Sequence, residues 1–106
     1  MKVICNSKIA LAVLLAVGCA SGFAQSAGEA TYKAKCQSCH GATGTPSPAM
    51  AKMMNIKAVS DPDIQKLTAD EMFGSVKNGR GKMAPFKDKL TDAEIKDSVA
   101  FYRSLK

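Results

Sequence analysis

The sequence predicts an all-α chain of three main helices and one short helical segment. Three observations carry this. Apolar residues recur at three- and four-residue spacings, two Thr-x-x-Glu sequences each open such a run, and no stretch alternates apolar and polar residues as a half-buried strand would.

The first helix is expected from about Gly28 to Cys39. Ala30, Ala34 and the pair Tyr32 and Cys36 fall at helical spacing, and Glu29 sits near the start, where the helix dipole favours an acid. A long loop region follows from Gly41 to about Leu67, opened by Gly41, Gly44, Pro46 and Pro48. Within it Met50, Met53 and Met54 repeat at helical spacing, which predicts a short helical piece with a buried stripe, reaching about to Ile56.

Thr68-Ala69-Asp70-Glu71 reads as a capping box and starts a helix carrying Met72, Phe73 and Val76, ended by Asn78-Gly79. A second loop from Arg80 to Leu90 contains Gly81, Met83 and Pro85. Thr91-Asp92-Ala93-Glu94 is a second capping box, and it starts a last helix with Ile95, Val99, Tyr102 and Leu105 on its inner face.

With 106 residues the chain has room for one domain, and its N-terminus does not look like part of it. Lys2 and Lys8 flank a start without acids, Ile9 to Val17 is an unbroken apolar run, and Gly22 and Ala24 fit the small positions of a cleavage site. This predicts a secretory signal over residues 1–24, cleaved after Ala24, followed by a domain over 25–106, and so a periplasmic protein is expected. The apolar run is well short of the ~20 residues that cross a bilayer. Ala16-Val17-Gly18-Cys19 also resembles a lipoprotein signal, so the membrane enters as a partner only if Cys19 is lipidated.

Removing 24 of 106 residues leaves 82, with no Trp, a size that often needs a covalent or metal staple. Cys5 and Cys19 leave with the signal, so Cys36 and Cys39 remain. A disulfide closing so short a loop restrains the unfolded chain little, which favours a cofactor as the staple. Taking Lys2 and Lys8 from 15 basic residues leaves 13 against 9 acidic ones, a net charge of +4. That suits docking to acidic redox protein partners by a monomer, and a merely solvated surface gives the same count. Without a dense basic run or aromatic interleaving, nucleic acid is not an expected partner.

Cys36-Gln37-Ser38-Cys39-His40 is the C-x-x-C-H pattern of covalent haem attachment. Two thiols add across two vinyl groups on neighbouring pyrrole rings, two intervening residues set that span, and the histidine after them is placed to ligate the iron. One haem c per chain is expected, with Cys36 and Cys39 as thioethers and His40 as the proximal ligand. A thioredoxin-like site would need an α/β fold, and structural zinc needs four ligands, whereas this chain has one such Cys pair and one His.

Six-coordinate iron requires one more donor. The candidates are Met50, Met53, Met54, Met72 and Met83, with a Lys or an open position besides. Met83 is favoured: it lies in a loop between two capped helices, Gly79 and Gly81 let the backbone approach closely, and Pro85 stiffens the chain beyond it. Met72 and the stripe at 50, 53 and 54 read more simply as packing.

Tyr32 to Gly41 (YKAKCQSCHG), Gly79 to Phe86 (GRGKMAPF) and Leu90 to Ile95 (LTDAEI) together resemble the class I c-type cytochromes of bacteria, over most of the mature chain. The resemblance implies the cytochrome c fold, wrapped around one covalently attached haem, and an electron carrier rather than an enzyme, serving a respiratory chain. It makes Met83 the distal ligand, although many relatives have Pro directly after that Met and here Ala84 intervenes. It implies a crossing of the first and last helices, with Gly28 and Tyr32 matched on one and Val99 and Tyr102 on the other. It also implies a Pro carbonyl in the first loop accepting from the second nitrogen of His40, with Pro48 favoured over Pro46. Lys33, Lys35, Lys82, Lys87 and Lys89 flank the two motifs and form a candidate docking ring. Two other readings compete: a ligand-binding or catalytic haem with a labile sixth site, and a lipid-tethered subunit of a respiratory complex.

Overall fold

The computed structural model describes residues 27–106. The expected signal segment, with Cys5 and Cys19, lies outside the described residues. The fold is all-α, as the periodicity predicts. Residues 27–35 are helical (α1), followed by α2 (Gln37–His40), α3 (Pro48–Met54), α4 (Pro62–Gln65), α5 (Ala69–Asn78) and α6 (Asp92–Ser104). Among the described residues the only β pairing is an isolated bridge between Arg80 and Met83.

The expected first helix is divided at Cys36. Helical hydrogen bonds still run through the break, from the Cys36 amide to Tyr32 O (2.9 Å) and from the His40 amide to Cys36 O (3.0 Å). α4 is an element that the reading of a long loop passes over. Its signal is local: the Asp61 side chain accepts from the Asp63 amide as an N-cap, and Pro62 takes the first helical position, where no amide hydrogen is needed.

The two expected capping boxes differ. At α6 the box is complete, with Thr91 Oγ1 accepting from the Glu94 amide (3.1 Å) and the Glu94 carboxylate accepting from the Thr91 amide (3.0 Å). At α5 only half forms. Thr68 Oγ1 accepts from the Glu71 amide (3.1 Å), but the Glu71 carboxylate takes the Thr68 hydroxyl hydrogen instead of the backbone amide.

Leu90, Ile95 and Val99 form the buried core between α5 and α6, with Met72, Phe73, Val76 and Phe86 partly buried against it. The α1–α6 crossing is made by contact at a missing side chain. A Cβ at Gly28 would collide with the Asp97 carbonyl and stand 3.3 Å from Phe101 Cβ. Tyr32, fully buried, packs its ring on Phe101 (5.3 Å between centroids) and on Tyr102 (6.1 Å). Phe101 therefore shares the crossing with Tyr102, and the sequence reading omits it.

The methionine stripe of α3 is not buried. Met53 is 59% exposed, and Met50 and Met54 are half-buried. Two turns of helix present more face than the neighbouring loops cover. On α6, Ile95 and Val99 are buried as expected, Tyr102 and Leu105 are half-buried, and Ser98 is also buried, its hydroxyl donating to Ile95 O (2.9 Å).

Candidate functional site

The Cys-x-x-Cys-His segment occupies the end of α1 and the single turn of α2. The Cys39 and His40 amides both donate to the Cys36 carbonyl, so the two cysteines and the histidine share one helical turn. Both thiols are free and half-buried. Burial, and secondarily the neighbouring Cys39, pushes the Cys36 thiol up to about 11, so it is held protonated at neutral pH.

His40 closes the turn. Burial lowers its imidazole below the ordinary value, which keeps the ring neutral, the form that ligates a metal. Its Nδ1 is buried without a hydrogen-bond partner. Neither proline in the first loop supplies one: Pro46 is buried, while Pro48 is exposed at the first turn of α3. The bond expected from Pro48 is thus not made. The ring is instead held by Tyr102, which meets it edge to face with centroids 5.5 Å apart.

Gly41 turns the chain away from His40. Its φ of +83° suits glycine, and a Cβ there would collide with the Thr45 carbonyl. The Tyr32 hydroxyl donates to the Gly41 carbonyl at 2.6 Å, fastening this turn to α1.

The loop bearing Met83 is closed on itself. The Arg80 amide donates to Met83 O (3.0 Å), and the Met83 amide donates to Arg80 O (2.9 Å). Gly79, at φ +80°, lies where a Cβ would stand 2.9 Å from Met83 O and 3.0 Å from Pro85 N, which is the close approach expected of it. Gly81 differs: a Cβ there would meet open space, so this glycine serves the turn's backbone angle (φ +58°) and not packing. Farther along, the Phe86 amide donates to Val76 O (3.0 Å), anchoring the loop to α5. Met83 itself is half-buried, as is Met72, which packs against the core.

These residues fit a haem better than a bare ion. Among the described residues no three His, Cys, Asp or Glu side chains converge as a metal cluster would require, so the two thiols and the imidazole do not form a zinc-like cage. They offer two attachment points and one buried neutral nitrogen. Elsewhere in the fold, Met72, Phe73, Val76 and Phe86 stay only partly buried against the Leu90, Ile95 and Val99 core.

An all-α fold that opens with this attachment turn defines a c-type cytochrome. The family described as cytochrome c oxidase, cbb3-type, subunit III matches residues 23–101, and the chain belongs to it. Among solved structures it is similar to the KustC0563 c-type cytochrome, at 30% identity and a TM-score of 0.67, over 74% of this chain and 96% of that one. A tyrosine-to-phenylalanine variant of Kustc0563 matches at 28% identity and a TM-score of 0.65, over 74% of this chain and 98% of the other. No curated protein matches the chain. Membership brings a covalently bound haem c and a haem-based role in electron transfer, and cytochrome c domains typically work outside the cytoplasm.

Proposed function

We propose that this protein is a periplasmic carrier, moving single electrons between respiratory redox partners through one haem c. Cys36 and Cys39 would hold the group as thioethers, and His40 and Met83 would ligate its iron. The observation that carries the reading is the pair of restrained turns, one bearing Cys36, Cys39 and His40 and the other bearing Met83.

The haem, when bound, supplies the one-electron couple. The chain's own residues do the rest. Tyr102 and the Tyr32–Gly41 bond restrain the His40 ring, and the Arg80–Met83 bridge restrains the thioether. With both donors on restrained turns, little of the chain would need to move as the iron changes charge, and ligation by Met83 would leave no open position for substrate. A thioether donor also favours the reduced iron.

The partners we propose are proteins with acidic docking surfaces. Lys35 and Lys87 are exposed near the two motifs. Lys33 is paired with Glu29 (2.9 Å), and Lys89 lies over the Phe86 ring, so the basic surface is partly engaged with the protein itself. Reduction rates by an acidic partner should fall as salt rises.

Optical spectra of the haem-loaded protein test the ligand set. A low-spin ferric spectrum with the weak far-red band of an iron–methionine bond, and no reaction of the reduced form with carbon monoxide, are expected. Met83→Ala should lose that band, bind carbon monoxide and show a lower potential. Prompt carbon monoxide binding by the unmutated protein would overturn the carrier reading in favour of an open, ligand-binding haem.

A further inference from the structure

The residue before Met83 reaches across to another element. Lys82 Nζ donates to the Met53 carbonyl at 2.7 Å, joining positions 29 residues apart in sequence. Met53 lies in the last turn of α3, where carbonyls lack partners within the helix and carry its negative dipole end. The Asn55 and Ile56 amides both turn back to Ala51 O, and Lys82 takes up the Met53 carbonyl.

The other side of this contact is the closed turn. Arg80 and Met83 exchange two backbone hydrogen bonds, with Gly81 and Lys82 at the tip between them. Lys82 is adjacent to Met83 in a turn that has little freedom to rotate one without the other. The ammonium group therefore restrains the segment whose displacement would carry the Met83 sulfur away.

We infer that Lys82 is a positioning residue: by fastening the Met83 turn to the end of α3, it slows replacement of the Met83 sulfur by an external ligand. The inference rests on the proposed ligation by Met83. The exchange itself involves no electron transfer: the thioether sulfur leaves the iron and a neutral nitrogen donor binds in its place. Lys82 is exposed and fills no core space, so its replacement leaves the fold intact.

The test is the rate at which imidazole binds the ferric, haem-loaded protein at a pH where the probe is neutral. Four proteins are compared: unmutated, Lys82→Leu, Lys82→Arg and Met83→Ala. Loss of one charge-assisted hydrogen bond should raise the rate in Lys82→Leu about tenfold, with the far-red band retained. Lys82→Arg, which keeps a donor of similar reach, should stay close to the unmutated rate. A band-bearing Lys82→Leu protein that binds imidazole at the unmutated rate overturns the positioning role. A Met83→Ala protein with an unchanged spectrum overturns the ligand assignment itself, and the inference with it. The two failures are told apart by which variant shows them.

Discussion

The Tyr32 hydroxyl donates to the Gly41 carbonyl at 2.6 Å, so a side chain of the first helix holds the residue directly after the histidine. The bond is partly buried, and burial chiefly, with Tyr102 and Cys36 adding to it, pushes the phenol up to about 12. Tyr32→Phe keeps the ring on Phe101 and removes only the bond. It should cost about 1 kcal/mol in denaturant unfolding. The same variant should also lose a phenol that ionises above the ordinary tyrosine range in an alkaline titration. An unchanged midpoint would show that the bond adds nothing to stability.

Gly28 supplies space where α1 meets the Asp97 backbone. Gly28→Ala inserts a methyl group against a carbonyl that cannot rotate aside, so the helices must separate. Overpacking of this kind costs about 1–3 kcal/mol, and the denaturation midpoint should drop accordingly. A variant as stable as the parent would mean that the crossing is looser than the structure has it.

Glu94 ties the start of α6 to pH. Its carboxyl is held below the ordinary carboxylate value, first by the Thr91 backbone amide and then by the Thr91 hydroxyl. A lowered folded-state value contributes stability above the unfolded-state value, about 4.3, and loses it as pH falls through the folded-state value. Unfolding midpoints of the parent and Glu94→Gln should therefore differ most near neutrality and converge in acid. A gap that is constant with pH would remove ionised Glu94 from the account.

Gly79 has a positive φ and a crowded Cβ direction toward Met83 and Pro85. Gly79→Ala should destabilise by about 1–3 kcal/mol, because the backbone there pairs a positive φ with an extended ψ that side-chain-bearing residues rarely adopt. Because the strain falls on the Met83 turn, the far-red iron–methionine band of the haem-loaded protein should weaken as well. Full retention of both stability and band would show the turn able to re-form around a side chain.

The helices that the sequence discloses are those whose ends are set locally. Thr68 and Thr91 each cap by reaching an amide three residues on, and such signals survive any tertiary context. The attachment turn is legible for the same reason, since Cys36, Cys39 and His40 are close neighbours along the chain. The features that the sequence leaves unseen depend on distant partners. Phe101 counts because Tyr32 meets it, Met53 is exposed while Met50 and Met54 on the same short helix are half-buried, and Lys82 matters through a carbonyl 29 positions away. The Asp61–Pro62 start of α4 is the exception, a local signal obscured by reading the whole region as loop.

The contact of Gly28 with Asp97 also orders events during synthesis. It joins the first described turn to the closing helix, so it cannot form until nearly the whole chain has left the ribosome. The attachment turn, by contrast, is made by contacts between near neighbours in the chain. The last helix thus closes the fold, meeting α1 at Gly28 and the His40 ring at Tyr102, and acts as its latch.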